Sequence, residues 1–191
     1  MKIIYLLLLS QFIGSTISAQ NIKQIDTERS TVKWGGSSLV YFYGHNGTVA
    51  IQSGVLVTDG KRITSGSITI DMETIRNTDG DYNQDLVDHL KDPDFFDVAN
   101  YKTANLEIKN IAYQDDESME CEGILTIKDI SQPIKWKASQ QETSSGMIFS
   151  SKLKIDRSRW DIKYKSKSFF DNLGDEAISD VITFNVKIFT R

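Results

Sequence analysis

Arg157 and Arg159 stand two residues apart at the end of an alternating segment, and a guanidinium fork can grip a phosphate or carboxylate through two parallel hydrogen bonds. His45, beside Asn46-Gly47, could add a donor to such an anion site. Surface salt bridges for the arginines and a turn-packed histidine remain the plainer alternatives. Nucleophilic chemistry has little to draw on. The chain holds 2 histidines and 1 cysteine, and no nucleophile, base and orienting group fall into a recognisable set. Cys121, in an alternating stretch between Met119 and Gly123, reads as an inert core thiol. Asp79, Asp81, Asn83 and Asp85 have the oxygen spacing of a calcium loop, but Gln84 stands where the turn needs glycine and Leu90 where a bidentate glutamate is needed. No metal is therefore expected.

The elements that would position these groups are nearly all strands. Apolar residues alternate with polar ones at Val32 and Trp34, Val49 and Ile51, Val55 and Val57, and Ile68, Ile70 and Met72. The signal recurs at Leu106 and Ile108, Ile124 to Lys128, Ile134 and Trp136, Leu153 and Ile155, and Ile182 to Ile188. Turn residues separate these runs at Thr58 to Lys61, Gln114 to Glu117 and Ser144 to Gly146. The fold class is all-β, and about eight antiparallel strands would close into a barrel or stack as a sandwich. Only Gln84 to Lys91 has helical periodicity, with Asn83 as its N-cap. Directly after it, the segment Asp88 to Leu106 reads DHLKDPDFFDVANYKTANL. Adjacent Phe95 and Phe96 cannot share one face of a strand, so they are expected to plug a cavity from a turn.

Residues 1–19 carry a lysine, an apolar run too short for a bilayer span and a small-residue end at Ser18-Ala19, and so read as a signal peptide cut near Ala19. The expected product is exported, periplasmic or secreted, soluble, and one domain over residues 20–191. A net charge of −4 with scattered lysines leaves no footprint for nucleic acid, and no basic amphipathic helix argues for a membrane surface. A single cysteine leaves the core to hold the fold without an internal disulfide.

Several segments taken together resemble the YceI-like family of exported lipid- or polyisoprenoid-binding proteins. They are HNGT from His45, SGVLV from Ser53, SITIDM from Ser67, CEGILTIK from Cys121, PIKW from Pro133, IDRSRW from Ile155 and the His89 to Ala104 block. The resemblance runs from about Asp26 to Phe189 and departs from the family pattern at Lys102, where proline is usual, and at Asp129, where glycine is usual. It implies an eight-stranded antiparallel lipocalin-like barrel with one short helix and a capping loop, holding a long apolar chain. On one choice of strand face, the first half of the chain would contribute Val32, Trp34, Val49, Ile51, Ile68 and Ile70 to the cavity. The second half would contribute Leu125, Ile127, Trp136, Ile155, Phe184 and Val186, with Leu86, Leu90, Phe95 and Phe96 in the cap. His45, Arg157 and Arg159 are the head-group candidates.

The expected partner is one isoprenoid, quinone-type or fatty-acid-like lipid, with no cofactor and no stable membrane insertion. Oligomeric state stays open, with a homodimer among the options. An enzyme acting on such a lipid, or a solid-core barrel binding proteins through its loops, are the alternatives.

Overall fold

The computed structural model describes residues 20–39, 43–80 and 83–191; the expected leader and Asp81 lie outside them. The strands are β1 (Gln20–Gln24), β2 (Thr31–Ser37), β3 (Gly44–Asp59), β4 (Arg62–Asn77), β5 (Thr103–Tyr113), β6 (Ser118–Ile127), β7 (Ile130–Thr143), β8 (Gly146–Asp156) and β9 (Val181–Phe189). Helix α1 (Gln84–Lys91) joins β4 to β5, and a 3-10 turn, Arg157–Trp160, follows β8. Each neighbouring pair is antiparallel. The chain order β2 to β9 becomes a closed eight-stranded ring because β9 returns to β2, where Phe184 faces Trp34. The added strand, β1, lies on the far half of β3 with Ile22 opposite Val57. Sequence reasoning did not foresee it, since Gln20 to Gln24 is polar apart from Ile22.

The barrel has two unlike ends. At one, tight turns join β3 to β4, β5 to β6 and β7 to β8, and the interior is solid: Leu56, Ile63, Ile108, Met119, Cys121, Phe149 and Ile188 are at most 2% exposed. A paired polar network seals this floor. The Tyr113 hydroxyl donates to Gln140 Oε1 (2.6 Å), Ile63 N–H donates to the Tyr113 hydroxyl (2.7 Å), and Gln140 Nε2 donates to the Lys61 carbonyl (2.9 Å). At the other end β6 and β7 are joined by a tight hairpin, but the β4–β5 and β8–β9 connections are long and carry α1 and residues 157–180 across the opening.

Helix α1 begins where Asn83 Oδ1 accepts from the Leu86 N–H (3.0 Å), and it buries Val87 and Leu90 toward the barrel. The β6–β7 hairpin closes in two residues although Asp129 replaces the family's glycine. Lys128 (φ 51°) and Asp129 (φ 58°) both occupy the left-handed region, and Ile127 still pairs with Ile130. At Lys102 the turn also survives, its carbonyl accepting from Met72 N–H (2.9 Å).

Candidate functional site

Beneath the long connections the barrel encloses a cavity of about 150 Å³ whose wall is almost entirely carbon. Val32, Trp34 and Gly36 on β2 face Ile182, Phe184 and Val186 on β9, and Ile68, Ile70, Met72 and Ile75 on β4 face Leu125 and Ile127 on β6. The sets follow the two-residue strand period, which turns one side of every strand inward, except that the step from Met72 to Ile75 is three residues, where the β3–β4 register shifts between Asp71 and Arg76.

The Phe95-Phe96 turn forms the cap. Asp92 O accepts from the N–H groups of Phe95 (3.0 Å) and Asp97 (2.8 Å), and Asp97 turns the chain at φ 50°. Both rings reach the cavity wall, packed edge to face with centroids 4.9 Å apart. The cap is fastened to its neighbours: Lys128 Nζ donates to Pro93 O (3.3 Å), Lys91 Nζ donates to Glu73 O (2.7 Å), and the His89 ring lies 3.9 Å from that of Tyr164.

Arg157 is the one ionisable side chain on the cavity wall among the described residues, and it has no solvent exposure. Its Nε donates to Ser179 O (3.2 Å), Nη1 to Ile162 O (3.0 Å) and Nη2 to Ile178 O (3.4 Å), and Asp180 Oδ1 lies 3.3 Å from Nη2. Burial lowers its proton affinity, and the carboxylates of Asp180 and Asp156 oppose that; guanidinium remains charged because its ordinary pKa is so high. The cation therefore pins the 157–180 connection over the barrel end. Of its five N–H groups, the carbonyl bonds use three.

Twelve of the sixteen expected cavity residues line it: Val32, Trp34, Val49, Ile68, Ile70, Leu90, Phe95, Phe96, Leu125, Ile127, Phe184 and Val186. Four do not. Ile51, Trp136 and Ile155 are buried core residues off the cavity wall, Trp136 against the bare Cα of Gly123, and Leu86 packs part-buried on the core. Two head-group candidates are also elsewhere. His45 sits on the rim with Nδ1 3.0 Å from Asp79 Oδ2, and Arg159 is exposed and donates to Pro133 O (2.8 Å). Residues missed include Met72, Ala104, Leu106, Ile134 and Leu153, whose alternation was visible, and Ile178 and Ser179, whose loop gave no signal. The Trp34 indole N–H is buried without a hydrogen-bond partner among the described residues.

Catalytic chemistry finds no foothold at Cys121, which lies in the floor with its thiol pushed up to about 12 by burial.

The model of the YceI-like domain family matches residues 24–189. Among solved structures, BcnA of Burkholderia cenocepacia superposes with a TM-score of 0.68 at 18% identity, covering 86% of this chain and 98% of its own. A polyisoprenoid binding domain from Saccharophagus degradans, implicated in plant cell wall breakdown, gives 0.66 at 14% identity, with 88% and 97% covered. The YCEI protein of Campylobacter jejuni gives 0.57 at 20% identity, with 96% and 91% covered. At these identities the likeness establishes the fold. No curated protein matches the chain.

Proposed function

The chain belongs to the YceI-like family, and on that premise we propose that it is an exported binding protein that sequesters or carries a long apolar lipid inside its barrel. The observation that carries this reading is the carbon-walled cavity at one end of a barrel whose other end is solid. A dry core would continue through both halves. The signal-peptide-like composition of residues 1–19 supports export, and the polyisoprenoid-binding description of the Saccharophagus relative supports a prenyl, quinone-type or acyl chain.

Magnitudes limit what enters. A cavity of about 150 Å³ matches one known to take benzene, so the geometry seen accommodates about one isoprene unit. A longer chain requires the Phe95-Phe96 turn and the 157–180 connection to part. Arg157, the one ionisable residue on the wall among those described, is the head-group contact in this reading, a role that needs its guanidinium to release some of its carbonyl partners as the connection parts.

Each added isoprene unit, at roughly 0.3 kcal/mol per heavy atom, should strengthen binding by about tenfold while it enters the barrel and by nothing thereafter. The test is mass spectrometry of lipids extracted from the purified protein, followed by titration with a prenyl alcohol series of increasing length. One apolar lipid per barrel and a length dependence that saturates are expected. A lipid-free protein that takes up no member of the series would reject the reading in favour of a protein-binding barrel.

A further inference from the structure

We propose that the surface around Phe169 and Phe170 is a docking face for a phospholipid bilayer, placed so that the cavity exchanges its ligand with the membrane rather than with water. Both phenylalanines are exposed, at 39% and 48%, and Leu39 (50%) and Tyr43 (59%) are exposed on the β2–β3 connection. Backbone bonds lay these pieces side by side. Ser38 N–H donates to Tyr43 O (3.1 Å), Ser38 bridges Ile178, Ile178 N–H donates to Lys165 O (2.9 Å), and the N–H groups of Phe169 and Phe170 donate to Ser166 O (3.1 and 3.0 Å). Ile178 is also cavity wall, so the aromatic turn and the cavity share one segment of chain.

The turn is built rather than loose. Ser166 is fully buried, its Oγ accepts from Ser168 N–H (3.1 Å), and Ser168 Oγ donates to Asp180 Oδ2 (2.7 Å). A fold that holds two adjacent phenyls in water gains nothing from them in isolation. Lysines stand among them: Lys163 Nζ lies 5.4 Å from the Phe169 ring, Lys165 Nζ lies 5.5 Å from the Tyr164 ring, and Lys167 is exposed. Phenyl rings in the acyl boundary with ammonium groups at phosphate level is the arrangement an interface favours. Asp161 and Glu176 pair with Lys163 and Lys165, and Asp171 and Asp175 are exposed on the same connection, so this face carries no net positive charge and apolar insertion of the rings must supply the attachment. Sequence reasoning sought a basic amphipathic helix and so passed over a turn. The docking stands on these exposed groups; only what passes through the face rests on the carrier reading.

The test uses vesicles of phosphatidylethanolamine and phosphatidylglycerol, with the wild-type chain and a Phe169→Ser, Phe170→Ser double variant whose folding is verified by thermal unfolding. Wild type should float with the vesicles and the variant about tenfold less. Transfer of a dansylated geranylgeranyl lipid from vesicle to protein should slow in step, while binding of the same probe added without vesicles is unchanged. Equal flotation of both proteins, no flotation of wild type, or a dimer that the double variant abolishes in the absence of vesicle binding would overturn the proposal. If both proteins float as expected but neither takes the probe, the docking face stands and the carrier reading fails.

Discussion

Trp34 lies across the bare Cα of Gly47, its partner on the neighbouring strand: a Cβ at position 47 would stand 2.5 Å from Cζ2 and 2.7 Å from Cε2 of the indole, and closer still to the Arg76 carbonyl oxygen on β4, the strand on its other side. The missing side chain is what lets the bulkiest residue type serve as cavity wall. Gly47→Ala should therefore overpack this side of the barrel and cost about 1 to 3 kcal/mol in a denaturant titration. A neutral substitution would mean that both the indole and the β3–β4 backbone at Arg76 have room to move and that the glycine is not needed for packing.

Cys121 has no exposure, and burial alone pushes its thiol up to about 12. A raised acid pKa means that the unfolded chain loses its proton first. This contribution to stability is thus intact below the ordinary thiol range and is lost progressively from about pH 9 upward. Reaction with a disulfide reagent at pH 8 should be limited by opening of the barrel and should accelerate on adding denaturant. Rapid labelling of the folded protein would contradict this burial.

Lys128 and Asp129 hold a two-residue hairpin in left-handed geometry without glycine. Asp129→Gly should relieve part of that strain and raise stability by up to about 1 kcal/mol, the gain being reduced by the extra freedom of glycine in the unfolded chain. A lower denaturation midpoint would show that the Asp129 side chain stabilises the turn more than its backbone strains it.

The barrel was legible because strand alternation is local: Val32, Ile68, Leu125 and Phe184 announce their inward face from their neighbours alone. Depth along the barrel was not legible. Ile51 and Trp136 share the inward face of the cavity residues yet sit off its wall, because depth depends on bulges such as that between Ile51 and Ser53 and on pairing across strands. Arg157 and Arg159 looked alike in sequence. The 3-10 turn after β8 sends one into the interior and leaves the other on the surface.

Phe95 and Phe96 share the cavity wall but differ in burial, which separates two roles that sequence could not. Phe95 is only 7% exposed and lies under Arg157, whose Cζ is 5.4 Å from its ring; Phe96 is part-buried on the same turn. Truncating a buried phenylalanine removes its transfer energy and leaves a void, so Phe95→Ala should cost about 3 to 5 kcal/mol. Phe96→Ala loses a smaller buried area and should cost roughly 1.5 kcal/mol. If the turn is a lid, the ordering reverses for ligand retention relative to stability: Phe96→Ala should speed dissociation of a bound prenyl probe by more than its modest stability loss suggests. The paired measurements are denaturant unfolding of the ligand-free variants and stopped-flow release of the probe. Should both variants lose stability yet release probe at the parental rate, the pair is ordinary core, and chain entry must occur elsewhere on the barrel.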